Sequence, residues 1–368
     1  MPRGGQQFAR ILSWPLQRRQ PPHSMPRILR LLLISAVVAA IATGGVLVWA
    51  LQADSSDFAF VPRAAVPAIG VVTVAGQNPA PKGAGSLYYS TVGVRHATIF
   101  ETWFGVADGG ALMPAHSILK PGESETDRSR LDAVAMDSSQ SAATVVGLRA
   151  LGVPVTVKSK GVRIVGIDPQ APIATSGAEL GDIIVAVDEE RINTTDELRA
   201  ALTAVGAEQP VTLTLHRAGE METVTTQTIK GPKSTPMLGI VPSEASVVVS
   251  TRKVTYTIEG VGGPSAGLAF ALQIYSAGKG YTNLKGLRVA ATGTLNMQGA
   301  VGPIGGAGEK AIGAGRVDAD LFLVPMANVA DARAGAPNGV RVIGVNTFTD
   351  ALRAIDDAAK PQASKAAQ

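Results

Sequence analysis

The sequence predicts an α+β chain: a single N-terminal transmembrane helix, a small strand-rich domain in the middle and a C-terminal α/β domain. Three observations carry that expectation. Residues 31–51, LLLISAVVAAIATGGVLVWAL, contain no charge and no proline. Beyond them, short apolar runs alternate with helical patterns, as expected where helices pack on sheets. The pattern then changes at about Lys158 and again at the linker KGPKSTP, 230–236, which divides the outer part into three consecutive segments.

The totals bound the answer. A chain of 368 residues has room for two or three domains, and an apolar content of 46% is ample for their cores. Cysteine is absent, so no disulfide framework, zinc ribbon or cysteine nucleophile is available. The net charge is +4, with much of the excess in the first thirty residues. The body of the protein is therefore not a basic surface, and no nucleic-acid partner is expected.

The apolar run would form a helix of roughly 31 Å, about one hydrocarbon core. Arg3, Arg10, Arg18, Arg19, Arg27 and Arg30 precede it, and Asp54 and Asp57 follow it. This asymmetry puts the basic segment 1–30 in the cytoplasm and everything after Leu51 outside. The alternative is a signal peptide cut near Ala53. Signal cores usually span about 7–15 apolar residues, so the longer run is read as a retained single-pass anchor in the cell membrane.

Residues 54–67 read as a linker with Pro62 and Pro67. AIGVVTVAG and SLYYSTVGVRHATI read as strands around a turn at APKGAG. KPGESETDRSR reads as an exposed loop or helix start, and SSQSAATVVGLRALG as a helix ending at Gly152. In the middle segment, 158–230, GVRIVGID and GDIIVAVDEE are strands and APIATSG is a short helical turn. INTTDELRAALTAVG is a helix with Thr194 and Glu197 at capping-box spacing, and a hairpin turns at Ala218–Gly219. This order, with Gly181–Asp182 before an apolar strand and a helix about a dozen residues on, resembles a bacterial PDZ domain. The resemblance implies capture of an extended peptide as an added strand; a packing module with an empty groove is the alternative.

The third segment, 237–359, opens with the strands MLGIV and SVVVSTRKVTYTIEG. It continues through the helix SAGLAFALQIYSAG, the strand and bend LRVAATGTLNMQGAVGPIGG and the helix start AGEKAIGAG. The strands ADLFLVP and VRVIGVN and a closing helix capped by Thr347 and Asp350 complete it. Within it, Gly263-Pro264-Ser265-Ala266-Gly267 sets a serine where loop turns into helix. Ser265 is either a cap or a nucleophile at the positive end of the helix. The pattern matches the hydrolase elbow, but that fold needs a histidine after the serine, and His23, His96, His116 and His216 all precede it. A serine without histidine needs another base, and lysine is the usual one. Burial can lower a lysine pKa enough to make it a proton acceptor. Lys310 sits at a helix start between Ile304 and Ile312 among small residues. Taken alone it also reads as a solvated lysine on an alanine-rich helix.

Together, GPSAG, ATGTL, VGPIGGAGEK and LFLVPMAN, in that order and spacing, resemble the proteolytic domain of Lon proteases across 237–355. The resemblance implies that Ser265 is the nucleophile and Lys310 the base, with Thr292 orienting the lysine. Gly263 and the backbone amides at Ser265 and Ala266 would serve the substrate and the oxyanion. Thr294 stands where many Lon proteases carry a glutamate, and Gly262 where they often carry a charge. One anchor, a PDZ module and this domain are the layout of membrane-anchored Lon-like proteins of bacteria. That layout makes 54–157 a region associated with the protease. No G-x-x-x-x-G-K-[ST] loop occurs, so no ATPase and no cofactor are expected. The function implied is ATP-independent serine endopeptidase activity on unfolded or exposed polypeptides outside the cytoplasm; that Lon-type domains often form rings makes a homo-oligomer an expectation by family analogy alone. The alternative is a tethered PDZ scaffold whose Lon-like domain no longer cleaves.

Overall fold

The computed structural model describes residues 26–258 and 260–360. Arg3, Arg10, Arg18, Arg19 and His23 lie outside them. Helix α1, Arg27–Gln52, is long and apolar enough to cross a bilayer. Residues 54–360 are described separately from it.

The first part of the outer chain gives β1 (Asp54–Pro62), β2 (Val66–Pro67), β3 (Val72–Val74), β4 (Ser86–Tyr89) and β5 (Val92–Thr98). Helix α2 (Ile99–Phe104), strand β6 (Ala111–Met113), helix α3 (Ala115–Ile118) and the long helix α4 (Glu125–Ala150) follow. The stretch read as a linker is thus a strand at the centre of the sheet β5-β1-β6, with Phe58 and Ala59 buried. Its serines and aspartates mask the alternation. The polar stretch before the expected helix is a turn up to Ser124 and then the start of α4 from Glu125. Ser124 accepts from the Asp127 amide and Asp127 accepts from Ser124, a full capping box.

The middle part begins with β7 (Val155–Ile167), β8 (Ile183–Val187), β9 (Glu190–Arg191), α5 (Thr195–Val205), β10 (Pro210–Arg217) and β11 (Glu220–Gln227). It ends with β12 (Ile229–Lys230), β13 (Pro236–Met237) and β14 (Ile240–Ser250). Thr194 caps α5 through the Glu197 amide, but Glu197 reaches back to the Asn193 amide, one residue beyond the expected box. Ala218 and Gly219 both take positive φ, as a two-residue hairpin between right-twisted strands requires. The sheet runs β11-β10-β8-β7-β14. Strand β14, read from the sequence as the start of the third segment, therefore closes this sheet, paired antiparallel with β7 from Ile240↔Ile167 to Val155↔Ser250. Leu238 lies in the same core as Val162, Ile184 and Leu213.

The last part comprises β15 (Val254–Tyr256), α6 (Gly267–Gly278), β16 (Arg288–Ala291), β17 (Thr294–Leu295), β18 (Val301–Gly302) and α7 (Ala307–Gly315). It closes with β19 (Leu321–Pro325), α8 (Val329–Gly335), β20 (Arg341–Val345) and α9 (Phe348–Ala359). Its main sheet is β2-β4-β16-β19-β20, parallel from β4 to β20. Two of the five strands come from the first part, so the sheet is assembled from both sides of the middle domain.

Strands buried on both faces read as continuous apolar runs. Alternation along β16 and β19 then sorts residues to two layers. Val289, Ala291, Leu321 and Leu323 pack with α4, α6 and α9, while Ala290, Phe322 and Val324 pack with α7 and α8. Helix α6 is buried nearly all round, which explains why SAGLAFALQIYSAG has no polar face.

Candidate active site

In a parallel sheet, the helix between two strands returns antiparallel to them, so its N-terminus faces the carboxyl edge of the strands. Both α6 and α7 meet that edge. The Leu268 amide donates to the Gly293 carbonyl (3.1 Å) and the Gly293 amide to the Ser265 carbonyl (2.8 Å), which ties the start of α6 to the end of β16. Clefts in open α/β sheets form at this edge.

The serine loop is held from three sides. Gly263 has φ +81, a conformation that favours glycine, and its amide donates to the Asp132 carbonyl on α4 (2.8 Å). Ser139, also on α4, donates to the Pro264 carbonyl (3.1 Å). A Cβ at Gly267 would lie 2.7 Å from that Ser139 oxygen, so the last glycine of GPSAG permits the approach of α4. From the sheet side, the Thr292 hydroxyl donates to the Ser265 carbonyl (3.1 Å). Thr292 is fully buried, and its amide continues the ladder to the Leu323 carbonyl (3.0 Å). Asp132 and Ser139 were not among the residues singled out from sequence.

Ser265 is half-buried and lines a cleft of about 400 Å³ with Pro264, Thr294, Pro303, Ile304 and Gly305. Among the described residues, the Ser265 and Ala266 amides find no backbone acceptor, although Ala266 is buried. No histidine lines the cleft. His96 faces Glu125 and stacks on Phe58, His116 is on α3, and His216 is in β10 of the middle domain.

The far wall of the cleft is the loop that leads into α7. Asn328, buried in the LFLVPMAN motif, clamps it by accepting from the Ile304 amide (3.0 Å) and donating to the Ile304 carbonyl (2.9 Å). Gly306, at φ +66, then starts α7. Ala307, Lys310, Ala311 and Ala314 are buried, the i, i+3, i+4, i+7 stripe of a helix lying on a sheet. Lys310 thus occupies an apolar position in the first turn, 3% exposed and in no ion pair among the described residues. Burial pushes its pKa down to about 8, against a small opposing pull from Glu309. Thr292 lies just past β16 and its hydroxyl bonds to the serine loop; among the described residues neither Thr292 nor Ser265 forms a hydrogen bond to Lys310.

A second groove lies in the middle domain. Leu198 and Leu202 of α5 face Met237, Leu238, Gly239 and Ile240 across about 240 Å³. The edge strand of that sheet, β14, begins at this groove.

The two domains are an edge-strand sheet with a helix beside it and a two-faced parallel sheet bearing a serine loop. Comparison with known proteins gives each a family. Residues 149–228 match the PDZ domain family, and residues 259–354 match the Lon protease (S16) C-terminal proteolytic domain. The chain therefore carries a PDZ domain followed by the proteolytic domain of the Lon family. The Lon protease of Clostridium beijerinckii is 38% identical over 96 residues, which are 25% of this chain and 12% of that protein. The match thus spans about an eighth of the curated relative. The PDZ domain of an SdrC-like protein from Listeria monocytogenes is 19% identical, covering 24% of this chain and 92% of that one at a TM-score of 0.22. Its counterpart from Listeria innocua is 19% identical, covering 22% and 92% at a TM-score of 0.21.

Proposed function

We propose that this protein is a membrane-anchored, ATP-independent serine endopeptidase in which Ser265 is the nucleophile and Lys310 its general base. The state of Lys310 carries the reading. It is a buried lysine without a carboxylate partner among the described residues, its pKa is lowered to about 8, and it stands on the helix entered from the wall of the serine cleft. A buried charge left unpaired is costly, and such perturbed groups concentrate where chemistry needs them.

In the reaction, neutral Lys310 takes the Ser265 hydroxyl proton as the oxygen attacks the scissile carbonyl. The C–N bond then breaks, Lys310 returns the proton to the leaving amine, and an acyl-enzyme remains on Ser265. Water, deprotonated by the same lysine, attacks the ester, and the proton passes back to Ser265 as the acid leaves. The Ser265 and Ala266 amides, at the positive end of α6, supply donors for the oxyanion. Thr292 is a positioning residue that ties the serine loop to the end of β16.

The PDZ domain would capture extended polypeptide along the β14 edge beside α5. With α1 as a retained single-pass anchor and the charge asymmetry around it, catalysis takes place outside the cytoplasm, on unfolded or exposed segments. A serine-directed covalent probe tests the assignment. It should label the wild type and fail on Ser265→Ala, which should retain the fold. Equal labelling of Ser265→Ala would overturn the nucleophile, and an unlabelled wild type would favour a non-cleaving PDZ scaffold.

A further inference from the structure

Strand β1 begins at Asp54, directly after Ala53, the C-cap of α1. Asp54 pairs with Thr98 of β5, and Thr98 is the N-cap of α2. The cap is a full box: Thr98 Oγ1 accepts from the Glu101 amide (3.2 Å), and Glu101 accepts from the Thr98 amide (2.9 Å). One peptide step plus one strand spacing keeps the start of α2 within about 10 Å of Ala53, whatever angle α1 takes.

Helix α2, IFETWF, turns apolar groups to solvent at this point. Trp103 is 58% exposed and Phe104 71%. The Phe104 ring lies 4.6 Å from that of Phe100 and 6.5 Å from that of Trp103, so the three form one aromatic cluster. The whole chain has only 8 Phe and 3 Trp, and three of these fall within five residues here. An exposed cluster of this kind marks a surface that is covered in use. Glu101, the one acidic residue of the helix, is paired with Arg95 through 2.7 Å and 2.5 Å bonds, so the helix presents no unpaired charge. Aromatic residues favour the boundary between headgroups and acyl chains, and an apolar face beside a paired charge suits that layer.

We propose that α2 is a membrane-interface helix, with Trp103 and Phe104 inserted into the outer headgroup layer of the bilayer crossed by α1, so that the proteolytic unit is docked on the membrane surface. This rests on α1 being a retained span.

The test uses the full chain in phosphatidylcholine nanodiscs with lipids brominated just below the headgroup. Two single-tryptophan variants are compared. Trp14→Phe with Trp49→Phe leaves Trp103, and Trp14→Phe with Trp103→Phe leaves Trp49 near the end of α1. Both should lose emission by about twofold against unbrominated nanodiscs. Quenching of Trp49 without Trp103 would overturn the proposal and leave the span standing. Quenching of neither would remove the span itself and the proposal with it. An unquenched Trp103 that crosslinks to a second copy through a photoreactive group at Phe104 would reassign the patch to self-association. Labelling of Ser265 by the covalent probe checks that each variant is folded.

Discussion

Asp182 in the PDZ domain and Lys310 in the proteolytic domain are both buried ionisable groups, 1% and 3% exposed. Asp182 is answered in full. Arg217 grips both its oxygens at 2.7 Å, and the Glu179 amide adds a bond of 2.8 Å. The carboxylate in turn raises the Arg217 pKa, chiefly through these hydrogen bonds. Lys310 receives no such answer among the described residues, and its pKa is lowered. The first arrangement is architecture: a fork-shaped cation and a planar acceptor locking β10 to the segment before β8. The second leaves a free-energy penalty on the charged form, which is what a general base requires.

The comparison breaks most sharply at Lys310. Lys310→Met, close in volume and uncharged, should lose about 10⁴-fold or more in peptide turnover, as removal of one member of a catalytic unit does. It should also raise stability at pH 7 by about 1–3 kcal/mol, since an unpaired buried charge is exchanged for an apolar group. Lys310→Arg should be equally inactive, because a guanidinium cannot act as a base at working pH. Near-normal turnover in either variant, measured on a short fluorogenic peptide, would move the base elsewhere. Asp182→Ala should do the reverse. Arg217 is partly exposed and can be resolvated, so the loss is about 2–3 kcal/mol, local to the PDZ domain. Native-state hydrogen exchange over β8 and β10 should speed up about 30–150-fold, while labelling of Ser265 stays at the wild-type level.

The next effect is one of pH. The Lys310 pKa in the folded protein, about 8, lies below the ordinary 10.5. Between these values the unfolded chain binds more protons, so stability rises with pH. The contribution is fully present above 10.5 and is lost as pH falls through about 8, in total about 3 kcal/mol. Turnover should follow the neutral amine, rising about tenfold per pH unit below 8 and levelling above it. A flat profile from pH 6 to 9 would separate Lys310 from the chemistry. The smallest effect concerns the insert. Excising 156–249 and joining Val155 to Ser250 through Asn-Gly should leave short-peptide hydrolysis within about threefold, because those two residues are already cross-strand partners. Hydrolysis of long unfolded proteins should fall further. Equal losses on both substrates would make the PDZ domain structural support alone.

What was legible in the sequence followed the range of the interactions. The cap at Thr347 is a local pattern, readable within four residues, whereas α6 starts without the side-chain cap that Ser265 offered. The bonds that hold the serine loop are not local. Ser139 and Pro264 are 125 positions apart, and α4 begins with a polar run that reads as surface. Asn328 lay inside a recognised motif, but its partner Ile304 is 24 positions upstream, so its task became clear only in three dimensions. Strand β14 shows a different limit. VVVS after a linker suits either neighbouring sheet, and only pairing with β7 decides between them. Likewise the aspartates and serines of β1 hid a strand whose partners arrive some forty residues later.

The pairing of Val155 with Ser250 has a further consequence, for chain statistics. The parallel neighbours β4 and β16 lie on opposite sides of the PDZ domain in sequence. In an unfolded chain, bringing β4 to β16 closes a loop of about 200 residues. Once the PDZ sheet has formed, its first and last strands hold the two flanks side by side, the effective loop falls to about 105 residues, and the entropy cost drops by about 0.6 kcal/mol. The inserted domain therefore raises the effective concentration of one half of the proteolytic core for the other. A domain with no atom in the serine cleft helps to determine how readily the cleft is assembled.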